Sequence, residues 1–492
     1  MWFCFAKITL KKEVILVEHT RREVLKILNN YHFSIKKSVI YFIFSLIFAL
    51  TFTYIPTYDG MNEASKATLF IVLFSLGLWV SEAIPAFAVS ILLVGLEIVI
   101  LGEPNGVFAK NQDDWKIFIE PWSSSLIFLF LSGFILASGV SKTKLDMFIA
   151  KKVLLLSGDK PSKILMALMG VTFVFSMFVS NTATTVMMLA IIMPIINNLE
   201  KNNPFSKAIL LGIAISANLG GMGTIIGTPP NAIAVGALGK NAPDFLTWMF
   251  YAIPPASLLL VIMYFILLKL YPSNQEHINT TLNQTNENET NLFEKYTVIA
   301  IFLTTLILWL TTSIHHIPTA VVAFLPIVVF TATGIIDSED IRKLPWDVLF
   351  LIMGGLSLGL AVSKTGLAVY IANLLPLSSM DEILLVVSFS YLIVIISNFM
   401  SNTAAANIII PIIMAISTSL FPDDTVFLII SAVIIALSSS NAMLLPVSTP
   451  PNALVYSSKR LSSRDFLLIG LIVGVLGPLV VIEWLNIIVG MV

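Results

Sequence analysis

The tripeptide Ser180-Asn181-Thr182 stands at the centre of an otherwise apolar stretch, 164–196, and returns as Ser401-Asn402-Thr403 in an equally apolar neighbourhood. Each copy is followed by a second signal, Gly227-Thr228-Pro229-Pro230-Asn231 and then Ser448-Thr449-Pro450-Pro451-Asn452. The distance from Ser180 to Thr228 and from Ser401 to Thr449 is the same 48 positions. A third marker, Val140-Ser141-Lys142-Thr143, recurs as Val362-Ser363-Lys364-Thr365 at an offset of 222, against 221 for the other two. Markers in register to within one residue make the chain a duplication, and a doubled polar tripeptide suggests one site with two halves.

The surroundings say where that site lies. Of 492 residues, 57% are hydrophobic and 12% charged, with a mean hydropathy of +0.92, far outside the range of soluble domains. Runs such as 38–54, 67–85 and 466–489 approach or exceed the roughly 20 residues a helix needs to cross a bilayer. The chain reads as an all-α polytopic membrane protein. The single Cys4 excludes a disulfide framework and a cysteine metal site. The net charge of -1 excludes nothing, because the placement of Lys and Arg is what orients a membrane protein. No cleavable signal peptide is expected, since the apolar start 1–10 is short and runs into a charged segment.

In chain order, 1–37 is a basic arm that the positive-inside rule places in the cytoplasm. The stretch 38–66 holds a first span and a loop. Repeat 1 covers 67–270, with spans near 67–84, 86–102, 122–141 and 247–270, a hairpin at 164–197 and a broken helix at 206–238. A polar cytoplasmic linker, 271–295, leads to repeat 2 at 296–492. That half holds spans near 296–313, 318–335, 347–362 and 466–490, a hairpin at 383–420 and a broken helix at 425–457. The amphipathic segment 144–156 is expected along the interface. The sequons in the linker, starting at Asn279, Asn283 and Asn288, carry no meaning on the cytoplasmic side. His315-His316, without acidic or cysteine company, reads as a surface feature.

The hairpins follow from length. The two arms of 164–196 are about 15 residues each, too short for a comfortable crossing at ~1.5 Å per residue. A re-entrant hairpin dipping to mid-membrane fits, and irregular backbone survives at that depth only where protein or a water-filled cavity surrounds it. Two successive prolines remove two N–H donors and force Thr228 and Thr449 out of the helical region, so both helices must break there. Eleven crossings and two hairpins result. An odd number of crossings per repeat turns the second copy over, giving an inverted repeat of the kind secondary transporters use for alternating access.

The centre so built has no fixed charge: none of Asp, Glu, Lys or Arg occurs between Lys163 and Glu200, Lys207 and Lys240, Glu382 and Asp423, or Asp424 and Lys459. A ligand must then be met by dipoles, with helix N-termini facing anions and unwound carbonyls coordinating small cations. An anion with no Arg to meet it points to mobile cations as the balance, and sodium suits carbonyl and hydroxyl oxygens. An intramembrane enzyme would need a nucleophile and base, paired acids or a metal set, and none is visible. A passive channel fits an inverted repeat with hairpins less well than alternating access does.

The doubled Ser-Asn-Thr hairpins, each followed by Thr-Pro-Pro-Asn, resemble the divalent anion:sodium symporter family, which includes sodium–dicarboxylate, citrate and sulfate carriers, over nearly the whole chain after Lys37. The resemblance implies a homodimer in the plasma or inner membrane, with the N-terminus cytoplasmic and the C-terminus outside. Each protomer would have a scaffold domain and a transport domain that moves as an elevator. By motif position it implies that Asn181, Thr182, Asn402 and Thr403 hold the substrate carboxylates, with Thr228, Thr449 and Pro450. One sodium would sit among Ser176, Ser180, Asn181 and Gly227, the other among Ser397, the Met400 backbone, Asn402 and Ser448. No cofactor beyond sodium as coupling ion and no nucleic acid is implied. Two intact tripeptides resemble members carrying C4-dicarboxylates such as succinate, fumarate or malate. Sulfate or citrate transport, or sodium-independent exchange, are the alternatives.

Overall fold

Several helices in this chain begin where a short polar residue offers an oxygen to the orphan N–H groups of the first turn. Asn62, Asp244, Asp381 and Asp424 do so, each accepting the N–H of the residue three ahead at 2.7 Å. In the computed structural model the described residues are 37–104, 106–200, 203–278, 291–374 and 381–490. Most of the expected N-terminal arm and the central part of the linker, with its sequons, lie outside them.

The first half runs α1 (Lys37–Tyr54), α2 (Glu63–Ser81), α3 (Ala86–Leu96), α4 (Ser125–Lys142), α5 (Leu145–Leu156), α6 (Pro161–Ser176), α7 (Asn181–Asn198), α8 (Phe205–Met222), α9 (Pro229–Leu238) and α10 (Phe245–Leu270). The second half runs α11 (Leu292–Leu310), α12 (Thr312–His315), α13 (Thr319–Val322), α14 (Phe324–Ala332), α15 (Ser338–Arg342), α16 (Trp346–Lys364), α17 (Leu367–Leu374), α18 (Glu382–Ser397), α19 (Asn402–Leu420), α20 (Thr425–Ser439), α21 (Pro450–Tyr456) and α22 (Ser463–Val489). The order α4 to α10 is repeated as α16 to α22. The fold is the expected all-helical inverted repeat, with α6–α7 and α18–α19 as the hairpins and α8–α9 and α20–α21 as the broken spans.

Nine helices among the described residues are long and apolar enough to cross a membrane. One of them, α19, is a hairpin arm. The arms are somewhat longer than expected, 16 and 18 residues in the first hairpin and 16 and 19 in the second. The returning arms contain Pro194 and Pro411. A proline inside a helix removes one ladder bond and bends the arm without ending it where neighbours cover the freed carbonyl.

One departure was not foreseen: the span after α3 continues as a π-helical turn, Glu97–Gly102. Gly102 sits so close to Trp115 that a Cβ would lie 2.7 Å from its Cα. The Glu97 side chain is fully buried there, with both carboxyl oxygens unpartnered.

Packing places the broken spans at the centre. The hydrophobic window of α8 is 94% buried, against 17% for α1 and for α11, so α8 is enclosed by protein while α1 and α11 face outward. The repeats interlock: α9 packs on α19 and α20, and α21 packs on α7 and α8. Polar ties hold the ends. The Lys207 ammonium lies 3.1 Å from Asp465, which also accepts the Tyr271 hydroxyl at 2.8 Å, joining α8, α10 and α22. Lys142 at the end of α4 pairs with Asp340 and Asp337 around α15.

Candidate functional site

The serine of each tripeptide is a helix cap. Ser180 accepts the Ala183 N–H at 3.2 Å and Ser401 accepts the Ala404 N–H at 3.2 Å, which fixes the hairpin tips and starts α7 and α19 at the neighbouring asparagine. Asn181 and Asn402 therefore occupy the first helical position, where backbone N–H groups lack intrahelical partners and the dipole is positive. Thr182 is exposed and Thr403 half-buried beside them.

In the first half the side chains converge. The Ser176 hydroxyl lies 2.7 Å from Asn181 Oδ1 and 2.6 Å from the Ala217 carbonyl oxygen. One hydroxyl proton cannot serve both acceptors, so this is an oxygen-rich nook short of donors. Two glycines close it. A Cβ on Gly221 would stand 2.6 Å from Asn181 Oδ1, and one on Gly227 would press into the Gly221 carbonyl oxygen. Of the residues expected together, Ser176, Asn181 and Gly227 meet through Gly221, while the Ser180 hydroxyl is turned to its cap. Gly227→Ala is expected to push the 223–228 backbone off Gly221 and lower substrate uptake by at least about tenfold at unchanged expression, because overpacking against backbone costs roughly 1–3 kcal/mol; uptake into vesicles measures it.

The second half is more open. Ser397 Oγ and Asn402 Oδ1 are both buried without partners, where their counterparts in α6 and α7 are bonded. Ser448 does not meet Asn402; its hydroxyl lies 3.0 Å from Asn398 Oδ1 and accepts the Leu445 N–H at 3.0 Å. Met400 is buried and its N–H is bonded to the Ile396 carbonyl.

At the breaks, Thr228 (φ -151°, ψ 145°) and Thr449 (φ -138°, ψ 151°) are extended, with paired prolines opening α9 and α21. The asparagine after each proline pair is a clip. Asn231 Nδ2 donates to the carbonyls of Gly221 at 3.0 Å and Thr224 at 2.7 Å, and Asn452 Nδ2 to those of Met443 at 3.1 Å and Leu445 at 3.0 Å. Each clip satisfies carbonyls that 223–228 and 440–449 expose by leaving the helix. Trp248 Nε1 adds a bond to the Met222 carbonyl at 3.1 Å. Thr449 joins the halves directly, accepting Asn218 Nδ2 at 3.1 Å. Pro450 is exposed and Thr228 makes no side-chain cap.

Asn218, Asn398, Asn231 and Asn452 were not among the expected site residues. The two clip residues are in plain view inside the doubled motif; Asn218 lies within the apolar helix α8, a weaker signal, and Asn398 follows α18 at the second hairpin tip, three residues before Ser401. The unpartnered buried Ser438 and Ser440 hydroxyls and Asn441 Oδ1 extend the polar lining of repeat 2. Among the described residues no group of three or more His, Cys, Asp or Glu could hold a metal ion. The centre offers hydroxyls, amides, carbonyls and helix ends, a set suited to hard cations and to small anions.

A family model described as citrate transporter matches residues 69–432. The chain belongs to the citrate transporter family. Its relatives are transporters. The sodium-dependent dicarboxylate transporter SdcS of Staphylococcus saprophyticus is 30% identical over 478 residues, covering 89% of this chain and 88% of that protein. SdcS of Staphylococcus aureus is 30% identical over 477 residues with the same coverage. An uncharacterized transporter of Schizosaccharomyces pombe is 30% identical over 432 residues, 86% of this chain but 48% of that protein, so the chain spans about half its length. Among solved structures, the YdaH transporter of Alcanivorax borkumensis aligns with a TM-score of 0.51 at 14% identity, over 76% of this chain and 86% of that one, a likeness of fold alone. This multi-pass membrane protein is a transporter.

Proposed function

We propose that the protein is a sodium-coupled symporter of C4-dicarboxylates such as succinate, fumarate and malate. It carries them into the cell across the plasma or inner membrane by an elevator motion. The observation that carries this reading is the paired set of helix starts at Asn181 and Asn402 in a centre without fixed charge. Asn181, Thr182, Asn402 and Thr403, with Thr228, Thr449 and Pro450 at the breaks, would hold the carboxylates. Backbone N–H groups at the starts of α7 and α19 would supply the positive potential that no Arg or Lys provides there.

Sodium would occupy the nook of Ser176, Asn181 and the Gly227 backbone, with Ser180 beside it, and a second nook of Ser397, Asn402 and the Met400 backbone, which Ser448 would join through its carbonyl, its hydroxyl being engaged with Asn398. The donor-poor contacts of Ser176 and the bare oxygens of Ser397 and Asn402 support that placement, since oxygens without hydrogen-bond donors are what a hard cation replaces water with. Two sodium ions near a dianion also answer how an anion is held in a neutral centre. In this reading the hairpins and broken spans form the moving part, α11 to α14 with α1 to α4 the frame, and two frames join as a homodimer. The names of the staphylococcal relatives, sodium-dependent dicarboxylate transporters, point the same way.

The test is succinate uptake into proteoliposomes with and without an inward sodium gradient. Uptake is expected to rise by about tenfold or more with the gradient; equal uptake without sodium would leave an exchanger. The family model's description favours a second substrate, citrate, and competition of citrate and sulfate against labelled succinate decides between them.

A further inference from the structure

A groove of about 690 Å³ lies between α5, α6 and α11, and its walls are apolar side chains throughout. It follows α6 from Met166 and runs on past its end to Phe178 and Val179, next to the Ser180 cap. The helical part alone is ~15 Å at 1.5 Å per residue, enough to match the ~15 Å of hydrocarbon in one leaflet. Its walls open outward, with Met166 57%, Val174 55% and Leu303 50% exposed.

Gly170 lies in the middle of this wall. A glycine inside a helix costs about 1 kcal/mol relative to alanine, and nearby glycines explain themselves by close neighbours: a Cβ on Gly212 would meet Leu165 and Met169 at 3.1 Å. A Cβ on Gly170 would meet nothing within 4 Å. The duplication does not demand glycine either, because the matching position in α18 is Tyr391, bonded to the Val475 carbonyl. No atom among the described residues accounts for the smooth surface at Gly170.

Charge gives the second observation. Lys163 sits at the start of α6 on the face of Met166, Ala167 and Gly170, at helical spacings of three, four and seven. Lys295 sits at the start of α11 on the face of Ile299, Phe302 and Leu306, at spacings of four, seven and eleven, and its ammonium lies 5.5 Å from the Phe148 ring of α5. Lys152 on α5 precedes the wall residue Val153. The acids on the same segments are Asp146 and Glu294. The helices α6 and α11 thus each bring a lysine to the end of the groove that the positive-inside rule puts at the cytoplasmic surface.

We propose that the groove binds one acyl chain of an anionic glycerophospholipid of the cytoplasmic leaflet, with its phosphate met by Lys163 and Lys295. The chain lies along Gly170, and the charged end stays at the headgroup level where lysines are favoured. Resting on the symporter reading, the lipid fills the gap between the hairpin arm that carries Ser176 and the frame helix α11. It therefore loads the first hairpin selectively.

The test uses the full chain with Met166 replaced by the photo-crosslinker p-benzoylphenylalanine, in vesicles of mixed phosphatidylglycerol and phosphatidylcholine. Irradiation is expected to add the mass of phosphatidylglycerol well above its share of the mixture. Gly170→Phe, which occupies the groove, is expected to lower that adduct about tenfold. Lys163→Gln with Lys295→Gln is expected to remove the preference between the two lipids while the adduct itself persists, so the proposal stays testable if the Phe variant fails to fold. Labelling in proportion to the bulk lipids overturns it, as does a crosslink to residues 1–36 or to a second copy of the chain. The readout needs no transport, so loss of the sodium-coupled reading would leave the labelling result standing.

Discussion

Asn402→Ala is expected to lower dicarboxylate uptake by about 100-fold or more, with Asn181→Ala doing the same, while both variants keep the melting temperature of the parent within a few degrees. The amide of each asparagine stands at a hairpin tip with an oxygen facing a polar nook, and Asn402 Oδ1 has no protein partner to lose. Removing that oxygen costs the fold little, since an unsatisfied buried acceptor disappears with it, and at Asn181 the Ser176 hydroxyl that is released keeps the Ala217 carbonyl as its acceptor. In the proposed function the same amide touches both substrate and sodium, and loss of contacts to charged ligands worth roughly 1.5–3 kcal/mol each reaches 100-fold quickly. Uptake and thermal unfolding of the same preparation separate the effects. A variant that transports normally would place the two-half site elsewhere; one that unfolds would make the asparagine a structural residue.

The second large effect is expected from Asn231→Asp and Asn452→Asp, which keep shape and remove the NH₂ donor. Each clip bonds two carbonyls freed by the break in its own repeat, and a carboxylate in its place adds repulsion to the loss. A buried acceptor left unsatisfied costs roughly 1–3 kcal/mol, so each variant is expected to lose about 3 kcal/mol or more and to unfold several degrees lower, with uptake abolished. The two clips differ in one respect that uptake reads. Asn452 also takes part in the cap around Thr449, whose Oγ1 accepts the Asn452 N–H at 3.3 Å and the Asn218 amide at 3.1 Å. Thr449→Val is the comparison: it keeps the clip and cuts this tie between repeats, leaving the Asn218 amide and the Asn452 N–H short of an acceptor, so reduced uptake with a stability loss of about 1–3 kcal/mol, smaller than that of the clip variants, is expected.

Much of this was legible in the sequence, because the features concerned break rules. Paired prolines cannot continue a helix, and a polar tripeptide cannot lie in a bilayer unsheltered, so breaks and hairpins could be placed, and the offset of 221 told which halves match. The family and the all-helical inverted repeat follow from the same residues. What stayed hidden were features that break no rule. Asn218 sits in the apolar helix α8, where a polar residue ordinarily makes an interhelical bond of about 0.6 kcal/mol, and Asn398, at the end of α18, stands outside the doubled motifs. Only the folded chain puts them against Thr449 and Ser448. Motif position pairs Ser448 with Asn402 as a carbonyl ligand, and says nothing of its hydroxyl, which finds Asn398; the counterpart of Asn398 in repeat 1 is Met177, a side chain with no comparable oxygen. The π turn at Glu97–Gly102 was hidden because nothing in the run 97–102 marks a change of helix type, and the approach of Trp115 to Gly102 appears only in the fold.

The burial of α8 sets how the protein meets membranes of different thickness. A helix touching lipid answers hydrophobic mismatch by tilting or by thinning the bilayer around it, and α1 and α11, mostly bare of protein, are free to do so. The helix that carries Asn218 and Gly221 has almost no lipid-facing surface, so mismatch reaches it only after crossing a shell of packed helices. A thicker or thinner bilayer therefore tilts the rim before it alters the positions of Asn218 and Gly221 on α8.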